Sequence, residues 1–310
     1  MFANFAAYEY YLSASLCILA MLGMGTALPP EAFRDVARRP RSIALVFVVQ
    51  LIIGPLLAIG LSQVFEQPSG IAAGMLLVTA LPGGLFSNVF ALLSRGHVAL
   101  SISATAVCTL GSLVTTTLVL KTFASGHLPD RFQMPIGEIM FEIVVCLLLP
   151  LLIGMAIGRW SPDPAKRLGR VCVRSATLLV VIYVVAALQA GRIDLWAFGW
   201  KTQAAIIALC VLPIVIGMVM GRLFRVTKLE SFTCQMEAVI RNVHLGLLLK
   251  ASLFPAGADA GLSAEVLFVL LYYGGASLVT GLVMTVIRRI ELAIFKDRHW
   301  APPPPELRGW

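Results

Sequence analysis

The chain has 310 residues, of which 59% are hydrophobic and 13% are charged, against roughly 25% charged residues in an average soluble domain. This composition leaves too little polar surface to cover a soluble globule, so it excludes a soluble protein and indicates a membrane protein. The formal net charge of +8 reflects the tendency of basic residues to remain on the cytoplasmic side of a membrane and requires no nucleic acid partner.

Nine apolar stretches follow one another along the chain, each with the length of about 20 residues that crosses a hydrocarbon core as an α-helix. We predict spans over residues 8–28, 43–64, 71–93, 98–120, 136–157, 171–190, 202–220, 232–249 and 262–287. The predicted fold class is an all-α polytopic membrane protein, with one transmembrane domain of nine helices within residues 1–300. The proline-rich residues 301–310 are predicted to form a disordered cytoplasmic tail.

The distribution of Lys and Arg predicts the orientation of these spans, because basic residues favour cytoplasmic loops. With the N-terminus outside, 18 of the 24 basic residues fall in the inward loops and the C-terminal tail. Five lie on the outward side, among them Lys250, and Arg241 lies within a span. The sequence thus predicts a multi-pass protein of a cell inner membrane, with the N-terminus outside and the C-terminus in the cytoplasm.

Two of the predicted spans are interrupted by their own residues. In the third span Pro82-Gly83-Gly84 stands in mid-membrane, where Pro removes a backbone donor and disrupts the helix. The eighth span carries Glu237, Arg241, Asn242 and His244 in an otherwise apolar stretch. Freed backbone groups and ionisable side chains inside a membrane must face protein or a wet cavity, so both interruptions are candidate functional positions.

The interrupted spans also share a short pattern. Ser87-Asn88-Val89 in the third span matches Arg241-Asn242-Val243 in the eighth, and the predicted topology gives these two spans opposite orientations. Inverted repeats whose interrupted helices meet at a midplane site are typical of secondary transporters. We therefore predict an inverted-repeat transporter in which the two broken helices cross.

Several polar side chains in the spans are candidate ligands. Ser101 and Thr105 are four residues apart and share a helical face, although such hydroxyls also bond their own backbone or a neighbouring helix. Glu237 requires a cation, a proton or an Arg partner. Arg241 would supply an internal ion pair, whereas surrounding oxygen atoms would supply the shell that a hard cation such as Na⁺ prefers. The amide of Gln50 either bridges helices or binds a ligand.

Four motifs occur along the chain: Leu22-Gly23-Met24-Gly25, Pro82-Gly83-Gly84-x-x-Ser87-Asn88, Leu100-Ser101-x-x-x-Thr105 and Glu237-x-x-x-x-Asn242. By their order and spacing the sequence resembles the bile acid:sodium symporter family, in particular its nine-span bacterial members. The resemblance implies a core and a panel. The core would comprise spans 43–64, 71–93, 98–120, 202–220, 232–249 and 262–287, and the panel spans 8–28, 136–157 and 171–190.

The resemblance also implies which residues bind ligands. One sodium site would use Ser87, Asn88, Ser101, Thr105 and Glu237. A second cation site would use Gln50, Glu237 and a glutamine four residues later, where this sequence has Arg241. A guanidinium is permanently charged, so it would occupy that site or repel its ion. The substrate cleft would be formed by Pro82, Gly83, Gly84, Arg241, Asn242 and His244.

The expected function is sodium-coupled symport of a small organic anion, a bile-acid-like or other carboxylate or sulfonate, by alternating access. The alternative within the same class is a proton-coupled or uncoupled organic anion transporter in which Arg241 replaces one sodium ion. An intramembrane enzyme or sensor is disfavoured because the sequence has neither a nucleophile turn nor a paired-histidine metal motif. The expected partners are the anion and the lipid bilayer. The cysteines show no paired spacing, so no metal other than Na⁺ is predicted, and the sequence defines no oligomeric state.

Overall fold

The structure is a computed structural model that describes residues 5–28, 38–124, 136–190, 198–254 and 260–295. Within these ranges the secondary structure is helical, with an isolated β-bridge and no strand. The prediction of an all-α polytopic membrane protein is thereby confirmed. The tail predicted at 301–310 lies outside the described residues.

The helices follow one another as α1 (Phe5–Ala27), α2 (Pro40–Val64), α3 (Ser69–Ala80), α4 (Leu85–Leu93), α5 (Val98–Val119), α6 (Ile136–Trp160), α7 (Pro162–Gln189), α8 (Gly199–Leu223), α9 (Lys228–Val239), α10 (Val243–Leu253) and α11 (Ala260–Phe295). Seven helices in the described ranges are long and apolar enough to cross a membrane. The pairs α3–α4 and α9–α10 are shorter, and they lie on the third and eighth predicted spans.

A π-helical turn in α2 is explained by the proline that follows it. The turn covers Val48–Ile53, and the N–H of Gly54 donates to the carbonyl of Val49, five residues back. Pro55 comes next, and because it has no N–H it interrupts the regular hydrogen-bond ladder. Helix α6 contains a similar turn shortly before its own proline. The turn in α2 contains Gln50, and such turns are frequent at functional sites.

The two interrupted helices meet at their breaks. Helix α3 ends ahead of Pro82, which lacks a donor, and α9 ends ahead of the extended residue Ile240. The segments between the half-helices pair as an antiparallel β-bridge. Two backbone hydrogen bonds of 2.9 Å hold it, from Gly84 N to the carbonyl of Ile240 and from Asn242 N to the carbonyl of Pro82. The backbone groups that the breaks release therefore bond to protein rather than face lipid.

The helices pack in two groups. Helices α1, α6 and α7 pack against one another, and α1 also contacts α10. Helix α11 packs on α3, α8 packs on α9 and α11, and α2 packs on α3 and α8. We call α1, α6 and α7 the panel and the other helices the core. These helices cover the segments given the same names in the sequence analysis. Their roles as two structural units of a transporter stay a prediction.

Candidate functional site

A buried carboxylate lies where the interrupted helices cross. Glu237, in the last turn of α9, is fully buried. Ser101 Oγ, from α5, donates to Glu237 Oε1 at 2.5 Å. Thr105 Oγ1, one turn further along α5, lies 3.0 and 2.9 Å from the two carboxylate oxygens. The shared helical face predicted for the two hydroxyl residues is thus directed at Glu237.

The first turn of α4 brings two further oxygens to this carboxylate. Ser87 Oγ lies 3.4 Å from Thr105 Oγ1 and donates to the carbonyl of Gly84 at 2.7 Å. Asn88 Oδ1 accepts from Thr105 Oγ1 at 3.3 Å. The structure thus brings together all five residues predicted for the first sodium site, from α4, α5 and α9. A carboxylate surrounded by hydroxyl and amide oxygens is a set of ligands that suits a hard cation.

A glycine allows the two broken helices to approach this closely. A Cβ atom at Gly83 would lie 2.2 Å from Glu237 Oε2, far inside van der Waals contact. A Cβ at Gly84 would lie 2.7 Å from the carbonyl oxygen of Arg241. The two consecutive glycines are therefore required where the segment that joins α3 to α4 contacts Glu237 and the backbone that follows α9.

Gln50 reaches the same region from α2. Its Nε2 donates to the backbone carbonyl of Glu237 at 3.0 Å, and its side chain is buried. Because this bond crosses from the π-helical turn of α2 to the end of α9, Gln50 joins two core helices beside the carboxylate.

The hypothesis of an internal ion pair between Glu237 and Arg241 is wrong. The described part of the chain shows no salt bridge between them. The guanidinium Nη1 instead donates to the carbonyl of Leu81 at 3.1 Å, and a Cβ at Gly54 would lie 3.3 Å from Nη2. The reason is local: α9 ends before the extended residue Ile240, so four-residue helical spacing does not apply.

The guanidinium of Arg241 consequently lies between α2 and the C-terminal end of α3. Arg241 is buried, with 4% of its surface exposed. Its Nε has no hydrogen-bond partner in the described part of the chain. The last carbonyls of a helix carry partial negative charge, so the end of α3 is a favourable position for a cation.

A cavity of about 380 Å³ adjoins the crossover between α4, α7, α10 and α11. Three of the predicted cleft residues, Gly84, Arg241 and His244, line it. The first residues of α4 and of α10 line it as well, so two helix N-termini with their partial positive charge reach the cavity. Most of the remaining wall is apolar or aromatic, with Phe86, Phe268 and Tyr272 among its members.

The other three predicted cleft residues are buried next to the cavity. Pro82 and Gly83 lie within the crossover and are buried. Asn242 accepts from Leu245 N at 3.2 Å through Oδ1, which caps α10, and its Nδ2 lies 3.7 Å from Met21 Sδ in α1. Asn242 therefore contacts the panel rather than the cavity.

A buried ion pair between panel and core was missed by the sequence analysis. Lys250 was assigned to the outward side, but it is fully buried in α10 and forms an ion pair with Glu9 of α1. Tyr183 of α7 donates to the same Glu9 oxygen at 2.8 Å. The available signal was one acid and one base inside apolar stretches, where ionisable groups pair with each other.

The fold and this site define a polytopic α-helical membrane protein built around two crossing, interrupted helices. A model of the sodium bile acid symporter family matches residues 14–197, more than half of the chain, and the chain belongs to this family. The resemblance to this family seen in the sequence motifs is confirmed, and membership among its nine-span members stays a prediction. The family is one of symporters, so the chain is a membrane transporter rather than an enzyme or a sensor.

Relatives from bacteria, plants and animals share the similarity. The chain is 27% identical over 244 residues to an uncharacterized sodium-dependent transporter, YocS, of Bacillus subtilis, covering 79% of this chain and 74% of that protein. It is 29% identical over 259 residues to a probable chloroplastic sodium/metabolite cotransporter, BASS2, of Oryza sativa, covering 83% and 60%. It is 26% identical over 232 residues to the hepatic sodium/bile acid cotransporter of Homo sapiens, covering 73% and 65%. The chain thus spans less than two thirds of the plant and human proteins.

Proposed function

We propose that the protein is a sodium-coupled symporter that carries a small organic anion by alternating access. The observation that carries the proposal is the oxygen shell around the buried Glu237. An ionised carboxylate in a membrane interior requires a compensating cation. Since Arg241 forms no salt bridge with it, a sodium ion from solution is the natural counter-ion.

The sodium ligands are Ser87, Asn88, Ser101, Thr105 and Glu237. Ser101 and Thr105 contact the carboxylate oxygens through hydroxyls. A hydroxyl has one hydrogen and two lone pairs, and it rotates to suit its partner. When Na⁺ enters, these hydroxyls can turn their hydrogens away and present oxygen to the ion without any movement of the helices.

The second cation position of the family is filled by Arg241. Its guanidinium lies beside Gly54 and the carbonyl of Leu81, next to the helix that carries Gln50. A cation held at the end of α3 provides the positive charge that a second sodium would bring. We therefore propose coupling to one sodium ion, with Arg241 as the resident cation.

The anion occupies the cavity of about 380 Å³ next to the crossover, a size within the roughly 300–1,000 Å³ of small-molecule sites. Its charged group faces the N-termini of α4 and α10, since the partial positive charge at a helix N-terminus favours an anion. The apolar wall suits a substrate with a hydrocarbon body. An amphipathic carboxylate or sulfonate combines both properties.

The position of this cavity between panel and core supports alternating access. Helix α7 of the panel and helices α4, α10 and α11 of the core line it together. A ligand drives such a cycle through its different affinities for the inward and outward states. Sodium binding orders the crossover where α4 and α10 begin, and this couples the ion to the anion site.

The unfolding temperature of the purified protein, compared between Na⁺ and choline, tests the sodium site and requires no known substrate. Ser101→Ala removes a ligand and should weaken sodium binding at least tenfold. Ser103→Ala is the matched control, because Ser103 lies on the same helix and donates to the carbonyl of Ala99. Equal sodium affinity in both variants would show that the ion binds elsewhere.

Uptake into proteoliposomes tests the transport itself. Carboxylates and sulfonates that shift the unfolding temperature in the presence of Na⁺ are labelled and offered with and without an inward sodium gradient. We expect accumulation only with the gradient. Equal uptake in both conditions would reject sodium coupling, and uptake driven by a pH gradient in sodium-free buffer would favour proton coupling through Glu237.

A further inference from the structure

A second cavity lies at the ends of the helices, away from the crossover. It has a volume of about 450 Å³ and is formed where α2 begins and where the chain turns from α8 to α9. Its lining contains four arginines and one glutamate: Arg38, Arg39, Arg41, Arg225 and Glu230. The excess of positive charge in one concave surface points to an anionic ligand.

The single glutamate of this lining is already committed to other groups. Glu230 Oε1 forms an ion pair with Arg39. Its Oε2 accepts from Thr227 N and from Thr227 Oγ1, each at 2.9 Å, in the capping box of α9. Both carboxylate oxygens are therefore occupied, and Glu230 fixes one arginine without neutralising the others.

Two of the arginines have their guanidinium groups available. Arg41 and Arg225 are exposed, and neither guanidinium forms a hydrogen bond or ion pair with any residue in the ranges that the structure describes. A guanidinium presents a planar fork of donors that matches phosphate oxygens in pairs. The cavity thus combines an arginine fixed by Glu230 with two arginines that can close on a ligand.

The position of the cavity relative to the membrane indicates where its ligand comes from. Arg39 directly precedes the span Pro40–Val64, and Arg225 follows the span Gly199–Leu223 by two residues. The cavity therefore lies at the level of lipid headgroups. The general preference of basic residues for one side of a membrane explains their number, but it does not require them to converge on one concave surface.

We propose that this cavity binds a phosphate group, carried by an anionic phospholipid or free in solution. The bound phosphate joins the start of α2 to the turn before α9. Since α9 carries Glu237 and α2 carries Gln50, the ligand stabilises the two core helices that the Gln50 hydrogen bond also connects.

The test uses the full-length protein in detergent and measures its unfolding temperature during titration with phosphatidylglycerol, with phosphatidylcholine, or with inorganic phosphate at constant ionic strength. The site variant is R41Q/R225Q. The matched control is R159Q/R167Q, which removes the same charge from exposed positions outside the cavity. A third variant, R41K/R225K, keeps the charge and removes the planar fork.

We expect phosphatidylglycerol to raise the unfolding temperature of the unaltered protein and of the control, and its apparent Kd to be at least tenfold weaker for R41Q/R225Q. The lysine variant should fall between them. An equal effect of inorganic phosphate identifies the free ion as the ligand, whereas an effect of the lipid alone identifies the headgroup. A site variant that behaves like the control, or the absence of any selective shift, would overturn the proposal.

Discussion

Replacement of Arg241 by glutamine tests whether a resident cation substitutes for one sodium ion. The two terminal nitrogens of Arg241 lie beside the carbonyl of Leu81 and beside Gly54, in the gap between α2 and α3. At about 4 Å, two like unit charges repel by about 4 kcal/mol at an effective dielectric near 20. Since 1.4 kcal/mol is a factor of ten in affinity, a sodium ion at this position would bind roughly a thousandfold more weakly.

The number of bound ions can be read from the dependence of stability on sodium concentration. A ligand that binds the folded state stabilises it by RT ln(1 + [L]/Kd). Above the Kd, each tenfold increase in Na⁺ therefore adds about 1.4 kcal/mol for each ion bound. We expect about 1.4 kcal/mol per decade for the unaltered protein and about twice that for Arg241→Gln.

Arg241→Lys is the control, because it keeps the positive charge and should retain the one-ion slope. The affinity for the transported anion, measured in parallel, separates two roles of the arginine. If Arg241→Gln keeps the one-ion slope and weakens anion binding tenfold or more, Arg241 binds the substrate and the resident-cation reasoning is refuted. If neither quantity changes, its hydrogen bond to Leu81 has a purely structural role.

Three further predictions concern the crossover, the buried ion pair and the topology. Gly83→Ala should abolish sodium-dependent stabilisation, because its Cβ would lie 2.2 Å from Glu237 Oε2. Gly60→Ala is the control and should leave that stabilisation intact, since nothing lies within 4 Å of the new Cβ. Glu9→Gln or Lys250→Met alone should lower the unfolding free energy by about 3–5 kcal/mol, whereas the double variant should lower it by much less. A loss in the double variant equal to the sum of the two single losses would show that the residues are not coupled. A cysteine near Lys166 should react with an impermeant maleimide only after permeabilisation, and labelling of intact cells would reverse the predicted topology.

The location of the candidate site was predictable because its causes are local. Pro82 and the two glycines after it break a helix in any context. Glu237 in an apolar stretch must find compensating groups. Two breaks in spans of opposite predicted orientation favour a crossing, and the structure brings the residues of the two segments together.

Other features could not be predicted, since they depend on distant contacts. The direction of the Arg241 side chain is set by the extended conformation of Ile240, which i to i+4 spacing cannot reveal. The burial of Lys250 depends on Glu9, which lies at the other end of the chain. When basic residues are counted loop by loop, a lysine at the boundary of a span is treated as solvated. Only the packing of α1 against α10 shows that Lys250 is buried.

A resident cation at Arg241 would also change the charge that the transport cycle moves. In a site with two sodium ions, a monovalent anion crosses with one net positive charge, and a membrane potential of 100 mV adds about 2.3 kcal/mol to the driving force. That energy corresponds to roughly a fiftyfold difference in accumulation.

Arg241 returns with the empty carrier and moves no net charge in a complete cycle. The proposed coupling of one sodium ion to one monovalent anion would therefore be electroneutral. We expect uptake by the unaltered protein to be insensitive to a potassium–valinomycin potential and uptake by Arg241→Gln to be stimulated when the interior is negative. Stimulation of the unaltered protein would show that more than one cation accompanies each anion.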